Sequence, residues 1–417
     1  MAGATRKGTL EKMGYRCKAT KPWLSISGEE VCTAKTEDVK VVLRGATNVW
    51  FADTRSSISI PVDDISTRRK IIGILNEWFD TLNASRTNGQ FDRNYINMFA
   101  VKNGVNADEL YQAFVDRANN MMSNEDVNEN TSEDEYRLQE YKVLCKTSGS
   151  DAMDFHSINY PIAEYNPIIH KYFKSISLVP KLRETRAFVG FSRLEPNEKT
   201  VSERKKELRL GSKEDWLPAV EVYGEGIFFQ FDGKNLEKWA QQESVKKRID
   251  TLNASYHRSK FGKKTLGDLR PEFVLIHTFA HLVINQLSFD CGYGSSSIRE
   301  RIYCEKTTNS LGMYGLLIYT ASGDSEGSLG GLVRQGEMGR LEDTIINAIE
   351  NATWCTSDPI CIQSSGQGPE SLNLAACHNC ALLPETSCEN GNRLLDRGAV
   401  VGTLQDTDIG FFREIRN

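Results

Sequence analysis

Apolar positions change period several times along the chain, and those changes mark its regions. Up to about Pro61 the pattern is of short extended runs, VKVVLRG and SSISIP, between turn residues. From Ser66 to Met122 apolar side chains return every third or fourth residue in TRRKIIGILNEWFDTL, RNYINMFAVKNG and ADELYQAFVDRANNMM, which predicts three helices. Acids and amides crowd residues 123–141; the first half reads as an exposed linker and the second as the start of a helix. The middle is mixed: RAFVGFSRL and AVEVYGEGIFFQFD alternate as strands do, and WAQQESVKKRIDTL has a helical period. DTLNAS occurs twice, at 80 and 250, but its flanks differ, so it marks two helix ends rather than a repeat. Beyond Arg270 the pattern predicts a helix from Pro271, strands in RIYCEK and MYGLLIYTA, a glycine-rich loop, and a helix through about Trp354. The reading is of an α+β chain with four regions: 1–61 rich in β-structure, 62–145 helical, 146–265 mixed, and 266–417 a C-terminal α/β domain.

Composition narrows the classes. The 417 residues are 39% hydrophobic and 26% charged, as in ordinary globular proteins. The net charge of −5 excludes a global basic field, so a nucleic acid would have to meet local patches. MAGATRKGTLEKMGYRC lacks the apolar core of a signal peptide, and no run of eighteen apolar residues occurs. The expected compartment is the cytoplasm. There, clustered cysteines point to metal rather than disulfides, and five of the ten lie between Cys355 and Cys388.

Their order is Cys355-x5-Cys361-x15-Cys377-x2-Cys380-x7-Cys388. A two-residue gap lets Cys377 and Cys380 reach one tetrahedral ion, and a loop brings in the other half. Five cysteines compete for four positions, and His378 is a substitute for one. Cys388, after a proline-containing turn, is favoured as third ligand, and Cys361 over Cys355 as fourth. Four thiolates leave no open coordination position, so the zinc is expected to be structural. A redox pair would need Cys-x-x-Cys at a helix start in a thioredoxin-like unit, which the extra cysteines do not suit.

Three further features carry weaker signals. PEFVLIHTFAHLVINQLS sets His277 and His281 on one face of a helix that is apolar nearly all round, and so buried. Thr278 stands where a metalloprotease would carry its glutamate, and the histidines read as buried, hydrogen-bonded structural groups. SGDSEGSLGGLVRQG, residues 322–336, reads as a tight strand-to-helix connection, with an anion such as DNA phosphate at its amides as the functional alternative. The most basic stretch, VKKRIDTLNASYHRSKFGKK, supplies Lys246, Lys247, Arg248, Arg258, Lys260, Lys263 and Lys264 as candidate DNA contacts, although a solvated helix end looks the same. No Walker A motif, nucleophile elbow or other hydrolytic signature is present.

LIHTFAHLVINQL, GLLIYTASGDSEGSLGGLV and AACHNCALLPETSCENGNRLLDR together resemble the C-terminal zinc-binding domain of MrfA-type superfamily 2 helicases, which is built around four cysteines. LRGATNVWFADTRSSISIP, LVPKLRETRAFVGFSRLEP and WLPAVEVYGEGIFF extend the resemblance to the DrmB family, the helicase-associated subunits of DISARM anti-phage defence. The resemblance runs from about residue 43 to 397. It implies a non-motor, zinc-containing subunit that works with a DrmA-like helicase on invading DNA, single-stranded or tailed, in the bacterial cytoplasm. Members of the family are longer at the N-terminus. Cys17 and Cys32 look like the second half of a four-cysteine zinc site whose first half precedes Met1, supplied by a separate chain or lost. The competing readings are a stand-alone zinc-dependent hydrolase or nuclease using His277 and His281, and a pure scaffold.

Overall fold

A computed structural model describes residues 12–14, 51–84, 86, 90–122, 131–147, 154–192, 216–259, 267–305, 312–320 and 331–416. The chain forms two units, one from residues 1–57 and 184–222, the other from 58–183 and 223–417. The first holds most of strand β1 (Phe51–Ile58) and the far ends of two long strands, β3 (Phe173–Ser192) and β4 (Ala219–Phe231). Phe188 there donates its amide to the Pro218 carbonyl at 2.7 Å. VKVVLRG, Cys17 and Cys32 lie outside the described residues, as does the linker 123–130.

In the second unit the three helices expected from the 66–122 pattern are α1 (Val62–Ala84), α2 (Arg93–Asn103) and α3 (Ala107–Met122). Asp92 starts α2 by accepting the Asn94 amide, and Gly104 ends it in the left-handed region at φ 61°. Ile71, Ile74, Phe79, Ile96, Phe99, Leu110 and Phe114 form a core of their own, in which Phe79 stacks on Phe114 with centroids 6.1 Å apart. Helix α4 (Thr131–Leu144) follows. Its Glu140 is fully buried and takes a bidentate bond from Arg301 at 2.6 and 3.0 Å, the Tyr303 hydroxyl at 3.0 Å and the Ile58 amide at 3.0 Å.

The larger core lies between an antiparallel sheet and its helices. β2 (Phe155–Pro161) pairs with β3, with Phe155 opposite Leu182; β4 pairs with β6 (Gly315–Thr320), which pairs with β5 (Ile298–Tyr303). Gly226 faces Tyr319, and two residues earlier a Cβ on Gly224 would overlap the Thr320 carbonyl, so the close approach of β4 and β6 requires glycine there.

The WAQQESVKKRIDTL segment is two helices, not one. α5 (Gly233–Ala240) stops and α6 (Glu243–Arg258) begins after Gln242, whose backbone is extended. The helix expected beyond the glycine-rich loop is α9 (Arg340–Asn351), entered from Gly339 at φ 81°, and the end of the loop itself forms a short helix, α8 (Gly331–Gln335). The expected helix from Pro271 is α7 (Pro271–Cys291), with proline in its first turn and Gly292 closing it at φ 69°. Fifteen of its residues are buried, because α9, β5 and the short α10 (Arg397–Val401) pack around it. It is apolar on all sides for that reason, and no helix among the described residues is long and apolar enough to cross a membrane.

Candidate metal centre

Four of the five clustered cysteines converge. α9 delivers the chain to Cys355, and a tight turn returns Cys361 beside it; the Asp358 amide donates to the Cys355 carbonyl at 2.9 Å and the Cys361 amide to that of Ser357 at 3.0 Å. A second turn presents Cys377 and Cys380, closed by the Cys380 and Ala381 amides on the Cys377 carbonyl at 3.1 and 3.0 Å. The sulfurs stand 3.5 Å apart for Cys355 and Cys377, 3.8 Å for Cys361 and Cys380, and 3.7 Å for Cys377 and Cys380. Four thiolates bound at about 2.3 Å around a tetrahedral ion are separated by roughly 3.8 Å, so the set fits a structural zinc.

The surroundings favour negative sulfur. The Ser357 amide points at Cys355 Sγ (3.4 Å), the Cys377 amide at Cys380 Sγ (3.3 Å), and Gln367 Nε2 at Cys361 Sγ (3.6 Å). Gln367 is itself held by its side-chain bond to the Leu374 carbonyl and by a backbone bridge to Asn373. A hydrogen bond from Cys380 holds the Cys361 thiol down at about 5, and the same bond pushes Cys380 well up. Burial raises Cys377. Crowded thiols make one another harder to ionise, and a bound dication relieves that.

Asp358 ties this site to the core. Its carboxylate accepts the Cys355 amide at 2.9 Å and the Ile362 amide at 3.0 Å, and both its oxygens meet Arg397 Nη2, at 2.6 and 2.9 Å. Arg397 is fully buried and also donates to the Ala352 carbonyl at 2.8 Å.

Cys388, favoured from spacing as the third ligand, is elsewhere, and Cys355 joins Cys361 to complete the set. The reason is pairing that spacing does not reveal. The Glu300 amide on β5 donates to the Ser387 carbonyl at 3.1 Å, and Asn392 clasps Leu383 through both its side-chain oxygen and nitrogen. Those bonds carry residues 383–388 away from the first cluster and seat Cys388 over β5. His378, the expected substitute, is outside the set, on the turn between the two ligand cysteines.

Cys388 joins a second group, with His277, His281 and Glu300. All four are buried, as expected of the histidines. His277 Nε2 lies 3.2 Å from Cys388 Sγ and 3.1 Å from Glu300 Oε1, and His281 Nδ1 lies 2.7 Å from the Ala381 carbonyl. Burial alone would push the Glu300 carboxyl up, but the His277 and His281 imidazoles overcome it and hold the group well below the carboxylate range. Burial drives the Cys388 thiol well up. Sequence reasoning misses Glu300. Its only signal is an acid at an inward position of a buried strand.

The candidate DNA contacts separate. Lys246, Lys247 and Arg258 are exposed on α6. Arg248 turns inward instead and makes a bidentate bond to the fully buried Asp396 at 2.6 and 2.7 Å. It takes that direction because it shares a helix face with the buried Val245 and Leu252, three residues before it and four after. Lys260, Lys263 and Lys264 lie outside the described residues, as do residues 321–330 of the glycine-rich loop. At the loop's described end the Leu332 and Val333 amides bond the buried Glu225 carboxylate at 2.9 and 3.3 Å, so an internal anion already occupies the start of α8.

Two comparisons agree with this geometry. Residues 279–381 match the MrfA Zn-binding domain, a span that contains all four converging cysteines and ends before Cys388. The whole chain is similar to the DISARM protein DrmB of Bacillus paralicheniformis, at 33% identity over 431 aligned positions that cover 99% of this chain and 72% of the relative. A four-cysteine centre inside a zinc-binding domain, within a chain alike from end to end, leaves one family: this chain belongs to the DrmB family of DISARM proteins.

Proposed function

We propose that this chain is the non-motor, zinc-stapled partner of a DrmA-like superfamily 2 helicase in the cytoplasm of a bacterium, and that the pair engages invading DNA. The observation that carries this reading is the likeness to a DISARM subunit along nearly the whole chain. Two features of the molecule support it. The four-cysteine cluster has its coordination filled by protein, so its zinc shapes a surface rather than activating water. No nucleotide-binding or hydrolytic motif accompanies it, so the motor belongs to the partner.

DNA binding on this reading falls to local positive charge, for which Lys246, Lys247 and Arg258 are the described residues, with Lys260, Lys263 and Lys264 beyond them in the sequence. The test has two parts. The chain should co-purify with a DrmA-like helicase and show no ATP turnover alone. Gel shifts on single-stranded and tailed duplex DNA, with and without the helicase, should weaken steeply with salt. Lys246→Ala with Lys247→Ala should lower the salt slope by roughly 0.7 to 0.9 for each phosphate left unneutralised. No shift in either condition would leave the scaffold reading in place of this one.

A further inference from the structure

The second cluster has the composition of a metal site. His281 sits on α7 one turn after His277, Glu300 comes from β5, and Cys388 from the loop that β5 holds, so three separate elements deliver four donor atoms within 4.8 Å of one another. Around a tetrahedral ion with bonds of about 2.0 to 2.3 Å, neighbouring ligands stand roughly 3.3 to 3.8 Å apart. Glu300 Oε2 and His281 Nε2, 3.6 Å apart, fall in that range, while His277 Nε2 stands closer, at 3.1 Å from Glu300 Oε1 and 3.2 Å from Cys388 Sγ.

Direction separates a metal site from a hydrogen-bonded pair. His281 Nδ1 faces the Ala381 carbonyl at 2.7 Å, which can only accept, so that nitrogen carries the proton. In the neutral ring this leaves a lone pair on Nε2, aimed at a carboxylate oxygen. Among the described residues, neither His281 Nε2 nor Glu300 Oε2 has a hydrogen-bond partner, although both are buried. Two facing acceptors repel, and a protonated ring would draw the oxygen into hydrogen-bond range. An ion between them accounts for both the separation and the missing bonds. A ligating histidine held through its other nitrogen by a carbonyl is the usual outer support of a metal.

The other donors are prepared in the same way. Cys388 Sγ receives the Asn390 and Asn392 amides, each at 3.3 Å, and Glu300 Oε1 receives the Glu389 amide at 3.2 Å. Arg301, next along β5, offers no compensating charge here, because it is spent on Glu140 on the other side of the strand. A thiolate, a carboxylate and two neutral imidazoles balance a dication, and nitrogen with sulfur in a tetrahedral set selects zinc over magnesium or calcium.

We propose that His277, His281, Glu300 and Cys388 hold a second, structural zinc ion that pins α7 to β5 and to the C-terminal loop. The two sites are coupled through one residue, since the Ala381 carbonyl that orients His281 follows Cys380 directly.

The test uses the full chain, purified without chelator. Zinc per chain is measured by elemental analysis for the unaltered protein, His281→Ala and Cys377→Ser, so that any zinc outside the two clusters cancels. His281→Ala is expected to lose about one equivalent while keeping the sulfur-only site. X-ray absorption at the zinc edge of the unaltered protein should then show a mixed shell of sulfur with nitrogen or oxygen. A folded His281→Ala variant with unchanged zinc content would overturn the proposal. Should that variant not fold, the absorption spectrum decides alone: a shell of sulfur only refutes the second site.

Discussion

Removal of the Asp358 carboxylate is the sharpest probe of how the four-cysteine centre is fastened to the core. Asp358→Ala deletes the acidic partner of Arg397, whose side chain is 0% exposed against 14% for Asp358. A buried charge stripped of its partner costs about 3 to 5 kcal/mol. The Cys355 and Ile362 amides lose their acceptor as well, though water can reach a group as open as Asp358 and recover part of that loss. Each kcal/mol lowers the melting temperature of a large domain by about 2 to 4 °C, so the variant should melt on the order of 10 °C lower. Because Asp358 orients the turn that presents Cys355 and Cys361, zinc affinity should fall by roughly 10- to 100-fold. Calorimetry reads the first quantity and competition with a chromophoric chelator the second. Asp358→Ala with Arg397→Met removes the stranded charge and should recover much of the melting temperature but not the affinity. Melting within about 2 °C of the parent, with unchanged zinc retention, would refute the clamp.

Other outcomes follow from the same geometry. Cys355→Ser should abolish the sulfur-only zinc component in X-ray absorption and destabilise the C-terminal region, whereas Cys388→Ser should keep that component; the reverse result would restore the ligand order read from spacing. Glu140→Ala removes the bidentate partner of the buried Arg301 and leaves it Glu389 at 3.6 Å, so it should cost about 3 kcal/mol in denaturant unfolding, while Glu140→Gln, which keeps one acceptor, should cost less. Zinc retention should fall as the pH falls, because thiol ligands shed their protons on binding; affinity should change about tenfold per pH unit for each proton released, and a flat chelator titration between neutral and mildly acid pH would contradict thiolate ligation.

Periodicity made the helical region legible. Three helices between residues 62 and 122, the end of β3 and the strands β4 to β6 follow from repeats of apolar residues that depend only on which face must leave water. The same repeat could not show where a helix breaks. Gln242 interrupts an apolar period that continues on either side, since the break is a backbone choice settled by packing.

The sequence by itself determined that a metal site exists near the C-terminus, because two thiols three residues apart can reach a single ion whatever surrounds them. It also determined that the helix carrying His277 and His281 is buried, because a helix apolar on all sides has no face to leave in water. Which cysteines share the ion was decided only in three dimensions. Spacing measures how far a chain can reach; it does not show that β5 captures Ser387 and draws Cys388 off to the histidines. Glu300 is invisible for the same reason. Its partners lie on another helix and on a loop eighty-eight positions later in the chain, and only the packing of α7 against β5 brings them within reach. Arg248 shows the converse: its charge is plain in the sequence, but its direction belongs to Asp396.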